Sequence, residues 1–269
     1  MKPLISIGVP TYEMSGYGVY YLNELLETIN NQTFDDFEVI ISDHSVDSKI
    51  KNFINSSSFN FKIVYFKNHK KIGNPSSNIN KIIKESNGEY IKFLFQDDLL
   101  NGKKSIENIA LAIKLNNEAK WFVSGCLHIK DEVKTNFMIP YYNNKIHMGY
   151  NTISSPSVLT IKNGKEAIKF NDQFIWLLDC IYYKECYLKF GQPVIINEFL
   201  TINRLSDTQL SNILSIKVKY FEIFKAIIYY DKGIFKISRL LEMGLNFLIH
   251  FIYTKIKNIN LKRQKYLND

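Results

Sequence analysis

Asp97 and Asp98 stand side by side where the apolar run "FLFQDD" (93–98) ends. Adjacent carboxylates disfavour each other's ionisation unless a cation or hydrogen-bond donors hold them. A divalent metal removes that penalty, and ligation by one or two carboxylates plus the phosphates of a ligand suits Mg²⁺ or Mn²⁺. A plainer use of the same residues is structural: Asp98 capping a helix that begins near Gly102 or Lys103, with Asp97 solvated.

An acid pair needs rigid elements to aim it. Short runs rich in Ile, Val and Phe at 4–9, 38–42, 62–66, 90–95 and 120–124 predict strands. Between them, Leu22, Leu25, Leu26 and Ile29, then Ile79, Ile82 and Ile83, then Ile106, Ile109, Ala110 and Ile113 recur at helical spacing. Alternating strands and helices predict an α/β fold, a mostly parallel sheet covered by helices on both faces. Ligands of such sheets gather at the carboxyl ends of the strands. Those ends carry Pro10 to Glu13, Asp43, Asn68, and Gln96 to Asp98. No G-x-G-x-x-G follows the first strand and no G-x-x-x-x-G-K-[ST] occurs, which disfavours a dinucleotide fold and a P-loop NTPase. Downstream, 147–164 has the Gly, Asn, Ser and Pro content of a site-lining loop followed by a strand, and a helix is expected around 173–188.

At 269 residues the chain suffices for one large domain or a domain with an appendage. Cys126, Cys180 and Cys186 follow no C-x-x-C spacing, so neither a disulfide framework nor a zinc site is expected, and a reducing cytoplasm fits best. The apolar run of the N-terminus is stopped by Pro10, too early for a secretory signal. The net charge is +8, and residues 215–269 supply almost all of it, with eleven Lys or Arg against Glu222, Asp231, Glu242 and Asp269. A near-neutral body with a basic tail argues against nucleic acid as partner.

The strand-end motifs, in order, resemble those of the family 2 nucleotide-sugar glycosyltransferases, whose catalytic domain has the GT-A fold. "ISIGVPTYE" resembles the family's first strand and P-x-Y/F-N/E, with Pro10, Tyr12 and Glu13. "VIISDHSVDS" resembles its second strand, with Asp43 and Ser45. Asn68, Gly73, Asn80 and "NGEYIKFLFQDD" follow, then Asp179 in "FIWLLDCIYY", then "NRLSDTQLS" with Arg204, Gln209 and Ser211. The resemblance spans roughly residues 4–211, and its "QDD" ending is similar to a branch that decorates bacterial surface polysaccharides. Two positions depart from the pattern: Phe95 replaces the first acid of D-x-D, and Ser206 the histidine of the last loop.

The resemblance implies an inverting, metal-dependent transfer from a nucleotide diphospho-sugar, UDP-linked, to a hydroxyl of a bacterial surface glycan or lipid-linked oligosaccharide. Pro10, Thr11, Tyr12, Glu13, Asp43, Asn80, Gln96, Asp97 and Arg204 are then the nucleotide-binding candidates. Tyr12 would pack on the base, Asp43 accept from its imino group, and Arg204 hold the diphosphate. Asp98 and Asp97 are the candidate ligands of Mg²⁺ or Mn²⁺, and Asp179 the general base. Trp176, Leu177, Leu178 and Ile181 around Asp179 desolvate it and raise its pKa. Asp172 competes for that role, and Asp179 paired with a lysine is the ordinary alternative.

The expected division is a catalytic domain over 1–212 and a basic amphipathic helical extension over 213–269. In the extension Ile237, Leu241, Leu245, Leu248 and Ile252 recur three or four apart, with charges interrupting them. Three uses stand open for 213–260: lying on an anionic membrane at the inner face of the cytoplasmic membrane, packing on the catalytic domain, or joining a homodimer. Two other functions compete. A sugar-nucleotide nucleotidyltransferase would need a basic first loop, and "PTYEMSGYG" has no Lys or Arg. A degenerate transferase serving as a membrane-surface assembly partner is motivated by Phe95 and Ser206.

Overall fold

The computed structural model describes residues 2–131, 133–206 and 209–268, with residue 210 and those from 254 on described by backbone alone. The first half runs β1 (Ile5–Thr11), α1 (Gly18–Asn30), β2 (Phe37–Asp43), α2 (Lys49–Ser56), β3 (Ile63–Lys67), α3 (Pro75–Glu85) and β4 (Tyr90–Phe93). It continues through β5 (Leu99–Leu100), α4 (Ser105–Leu115), β6 (Trp121–Lys130), β7 (Val133–Met138) and β8 (Leu159–Lys162). The chain closes with α5 (Leu178–Phe190), β9 (Val194–Arg204), α6 (Leu210–Ile213), α7 (Ile216–Tyr230) and α8 (Gly233–Asn268).

One sheet holds the molecule together, in the order β3-β2-β1-β4-β8-β6-β9-β5, with β7 paired to β6. Its first half is parallel: β1 pairs with β2 and β4, and β2 with β3. Its second half is mixed, because β8 runs antiparallel to β4 and β6 while β9 runs parallel to β6. "Mostly parallel" therefore describes only the half made by β1 to β4, where a helix joins each strand to the next and each return crosses over a face of the sheet.

Side chains alternate across the strands, so each face feeds its own core. Ile5, Ile7 and Val9 pack with Leu22, Leu25 and Leu26 of α1 and Ile106 and Ile109 of α4. On the other face Ile40, Ile91 and Phe93 pack with Ile79 and Ile82 of α3, Ile181 and Tyr183 of α5, and Ile223, Ala226 and Ile227 of α7. The first helix of the basic tail is thus part of the main core. Its companion α8 differs: Ile237, Leu241, Leu245, Leu248 and Ile252 are all exposed. Among the described residues, no helix is long and apolar enough to cross a membrane.

Candidate active site

The four parallel strands bring Pro10 to Glu13, Asp43, Asn68 and Gln96 to Asp98 to one edge of the sheet, since β1 and β2 pair in register from Ile5–Phe37 to Thr11–Asp43. Asp43 is wholly buried there. Its Oδ1 accepts from the Ser45 amide (2.8 Å), and its Oδ2 from the Tyr65 hydroxyl (2.7 Å) and Lys67 Nζ (3.1 Å). Beside it the buried His44 Nε2 and Ser45 Oγ have no partner among the described residues, leaving two polar atoms at the end of β2 for a ligand.

The first loop is tied down from the fourth strand's end. Gln96 accepts from the Tyr12 amide (2.9 Å) and donates to the Gly18 carbonyl (2.5 Å). That fixes Pro10 and Thr11 against the sheet, keeps the Tyr12 ring half-exposed, and leaves the Glu13 carboxylate to accept from the Val46 amide (3.3 Å). Gln96 accordingly positions the loop, with both ends of its side chain used within the protein.

Two other expected contacts are engaged elsewhere. Asn80 lies inside α3, away from the strand ends, and exchanges two hydrogen bonds with the backbone of Phe170 (2.8 Å each). Asn78, two residues earlier in α3, reaches it instead, donating to the Thr11 carbonyl (3.1 Å) and accepting from Ser42 Oγ (2.6 Å). The Arg204 guanidinium turns toward α1, where it lies 2.8 Å from Glu24 and over the Tyr21 ring. Arg204 brings its backbone amide to Asp98, and its charge favours the ionised form of Asp97. Asp207 and Thr208 of the same stretch lie outside the described residues.

Asp98 is buried, at 4% exposure, and does not cap α4. Its Oδ1 accepts from the Arg204 amide (3.1 Å) and its Oδ2 from Ser155 Oγ (3.2 Å), with a further bond from the Ser157 hydroxyl. Asp97, the preceding residue, is half-buried. Burial raises the pKa of both carboxyls, and the charge of Asp97 raises Asp98 further. Neither ion-pairs with a cationic side chain among the described residues. Beneath them sits Lys92, fully buried, its ammonium donating to the Ser157 carbonyl and pulled down by burial to about 7. Two adjacent carboxyls with open lone pairs on Asp97 and too little positive charge around them fit a divalent cation as the missing partner.

Asp179 lies in the first turn of α5 and is half-buried. Its Oδ1 accepts from the Cys180 amide (2.7 Å) and its Oδ2 from Asn151 Nδ2 (2.7 Å). Desolvation pushes its carboxyl up to about 6 against these bonds. Asp172, by contrast, sits at the surface and pairs with Lys71 (2.5 Å).

One segment touches both acids. Asn151 holds Asp179, and Ser155 and Ser157 hold Asp98. Between them Ser154 has φ +95°, a conformation that costs a non-glycine residue about 1–3 kcal/mol and persists only where contacts enforce it. Here its carbonyl accepts from Asn151 Nδ2 (3.2 Å) and the Tyr183 hydroxyl (3.1 Å), and its Oγ from Asn203 Nδ2 (2.8 Å). Sequence reasoning found the loop but named none of Asn151, Ser155, Ser157 or Lys92. A lysine inside the apolar run "YIKFLF" was the signal available for the last.

The sequence profile described as "Glycosyl transferase family 2" matches residues 6–162, more than half of the chain. The chain belongs to this family. Among its relatives is an uncharacterised glycosyltransferase of Rickettsia typhi, 27% identical over 78% of this chain and 67% of that protein. Another is the GalNAc(5)-diNAcBac-PP-undecaprenol beta-1,3-glucosyltransferase of Campylobacter jejuni, 27% identical over 65% of this chain. The chain spans less than two thirds of the latter's length, the match covering 59% of it. TarS 1-349 of S. aureus in complex with UDP-GlcNAc superimposes with a TM-score of 0.63 at 18% identity, over 89% of this chain and 69% of that one. The mannosyltransferase PcManGT of Pyrobaculum calidifontis, in complex with GDP-Man and Mn²⁺, gives 0.59 at 13% identity, over 91% and 69%. At such identities the structures speak for the fold, which is the GT-A arrangement expected of family 2.

Proposed function

We propose that this chain transfers a sugar from a nucleotide diphospho-sugar to a hydroxyl of a bacterial surface glycan or lipid-linked oligosaccharide, with inversion at the anomeric carbon. The observation that carries this is the loop 151–157, which holds at one end a half-buried carboxyl shifted to about 6 and at the other the buried Asp98 of an acid pair that has no ion-pair partner among the described residues. The nucleotide lies along Pro10 to Glu13 and Asp43, its base against Tyr12. Asp97 and Asp98 hold Mg²⁺ or Mn²⁺, which when bound supplies positive charge to the diphosphate leaving group.

Asp179 accepts the proton of the acceptor hydroxyl as that oxygen attacks C1. The bond from C1 to the diphosphate oxygen breaks on the opposite face, and the nucleoside diphosphate departs with the electron pair. Asn151 keeps the carboxylate aimed throughout. UDP is the favoured nucleotide because TarS carries UDP-GlcNAc, and a lipid-linked acceptor is favoured by the C. jejuni relative's name.

The acceptor reading places the protein in the cytoplasm, peripheral on the inner face of the membrane. The exposed stripe of α8 supports it, as does the internal use of the acids on α7, on α8 and in the turn between them. Glu222 and Asp231 are buried and Glu242 pairs with Lys145. Flotation of the full chain with anionic liposomes, and its loss in a Leu241→Glu/Leu248→Glu variant, is the expected result; flotation of both alike removes the membrane contact. The reaction itself is tested by a thermal-shift and donor-hydrolysis panel of UDP-, GDP-, CDP- and dTDP-sugars with and without Mn²⁺. A response to UDP-sugars that grows with metal is expected, and no response to any nucleotide sinks the proposal.

A further inference from the structure

The helix that carries Asp179 starts without a cap of its own. Leu177 occupies the N-cap position of α5 and makes no side-chain cap bond, where Ser, Thr, Asp or Asn would ordinarily satisfy the free amides. The three residues leading into the helix have their amides satisfied from another element. Glu222 of α7 accepts from the amides of Ile175 (2.9 Å) on Oε1, and of Trp176 (3.0 Å) and Leu177 (2.9 Å) on Oε2. Its side chain belongs to a residue only 4% exposed.

The grip is wider than one residue. Lys219, Glu222 and Lys225 are three apart and share one face of α7. Lys219 Nζ lies 5.7 Å from the Trp176 ring, and Lys225 Nζ lies 5.1 Å from the Phe174 ring and donates to the Gln173 carbonyl (3.3 Å). On the other side Trp176 is backed by Gly149, which has φ +91° and where a Cβ would come within 2.7 Å of the ring. The segment 173–177 is thus clamped between α7 and the loop that, two residues past Gly149, delivers Asn151 to Asp179.

We propose that Glu222 is a positioning residue for the reaction: by binding the 175–177 amides it sets the start of α5 and so the place of Asp179 against the acceptor. This rests on Asp179 being the base. A glutamate on the core-facing side of α7, next to Ile223, Ala226 and Ile227, is an expensive choice for packing alone. Misplacing a catalytic group by about an ångström costs up to about 100-fold in rate. The effect of Glu222 is therefore expected in turnover.

The test uses the full-length chain with Mn²⁺ and UDP-sugar donor, in four forms: wild type, Asp179→Asn, Glu222→Ala and Glu222→Gln. Glu222→Ala is expected to lower kcat about 10- to 100-fold with UDP affinity within about twofold of wild type. Glu222→Gln, which keeps one oxygen, falls between. A second readout separates positioning from folding. Loss of the Glu222 charge leaves the positive end of α5 uncompensated, which favours the Asp179 carboxylate. The acidic limb of the kcat–pH profile then moves to lower pH. The other groups around Asp179 are unchanged by the substitution: Asn151 from the loop, Cys180 beside it and Tyr183 on α5.

Wild-type kcat and an unmoved limb in a folded variant overturn the proposal. So does a fall in kcat matched by equal losses in UDP affinity and thermal midpoint. Should Glu222→Ala not fold, Glu222→Gln decides by the same two readouts. Retained turnover in Asp179→Asn would instead overturn the choice of base.

Discussion

Asp98 and Asp179 are the same residue type at opposite ends of one loop, and both are pushed toward neutrality by burial. Their neighbours differ in kind. Asp98 abuts another carboxyl and is ringed by hydrogen-bond donors, with Lys92 held beneath on the Ser157 carbonyl. Asp179 has neutral partners, the Asn151 amide and the Cys180 amide, and keeps an open face. Crowding of like charge makes a place for a cation, whereas partial desolvation with neutral donors makes a carboxylate that can take up a proton near neutral pH. The chain uses one amino acid for two tasks by changing what surrounds it.

The sharpest way to break that division is to neutralise each acid in turn. Asp179→Asn should lower kcat about 10³-fold, within the range for a lost general base, while UDP binding and its dependence on Mn²⁺ stay as in wild type. Turnover retained in this variant would mean that the proton goes elsewhere. Asp98→Asn should cost about 10²-fold in turnover and, unlike Asp179→Asn, should abolish the gain in donor affinity that Mn²⁺ confers in titrations. If both variants lose metal-dependent binding equally, the two acids form one site.

The pH profile carries the next effect. Asp179 must be ionised to accept a proton, and its carboxyl is raised to about 6. The kcat should therefore be flat above that pH and fall about tenfold per unit below it. A profile flat to pH 4 would mean that a group other than Asp179 takes the proton.

Much of this was legible in the chain itself. Apolar runs such as "LISIGV" and helical triplets such as Ile79, Ile82 and Ile83 report local periodicity, and β1 to β4 with their helices follow from it. The mixed half of the sheet does not announce itself that way. β9 reads "VIINEFLTINR", with Asn197 and Glu198 in its middle, and its register on β6 shifts around Gly125, so its pairing is set by distant neighbours. The helix expected at 173–188 begins only at Leu178, and the 175–177 segment before it is held by Glu222, more than forty residues away in sequence. For the same reason the sequence could not show that the Arg204 amide binds Asp98 while its guanidinium pairs with Glu24, or that Asn80 exchanges hydrogen bonds with the Phe170 backbone. What could have been noticed is negative: Leu177 is a poor cap, and Glu222 sits among core positions.

The smallest effects fall on the loop joining the two acids, and they sharpen the division most. Asn151→Leu removes a donor to the Asp179 carboxylate, which favours its neutral form and should move the acidic limb of kcat upward by roughly half a unit to one unit. Ser155→Ala removes a donor to Asp98 Oδ2 and should raise the Mn²⁺ concentration for half-maximal rate by about tenfold or less. Each should leave the other's readout unmoved, although the residues are four apart on one loop and Ser154 lies between them in a conformation pinned by Tyr183 and Asn203. Those pins make the outcome informative. A rigid loop transmits neither change, so metal dependence and pH limb stay separable. If Ser155→Ala moves the limb, or Asn151→Leu the metal requirement, the loop is acting as a lever between the base and the acid pair.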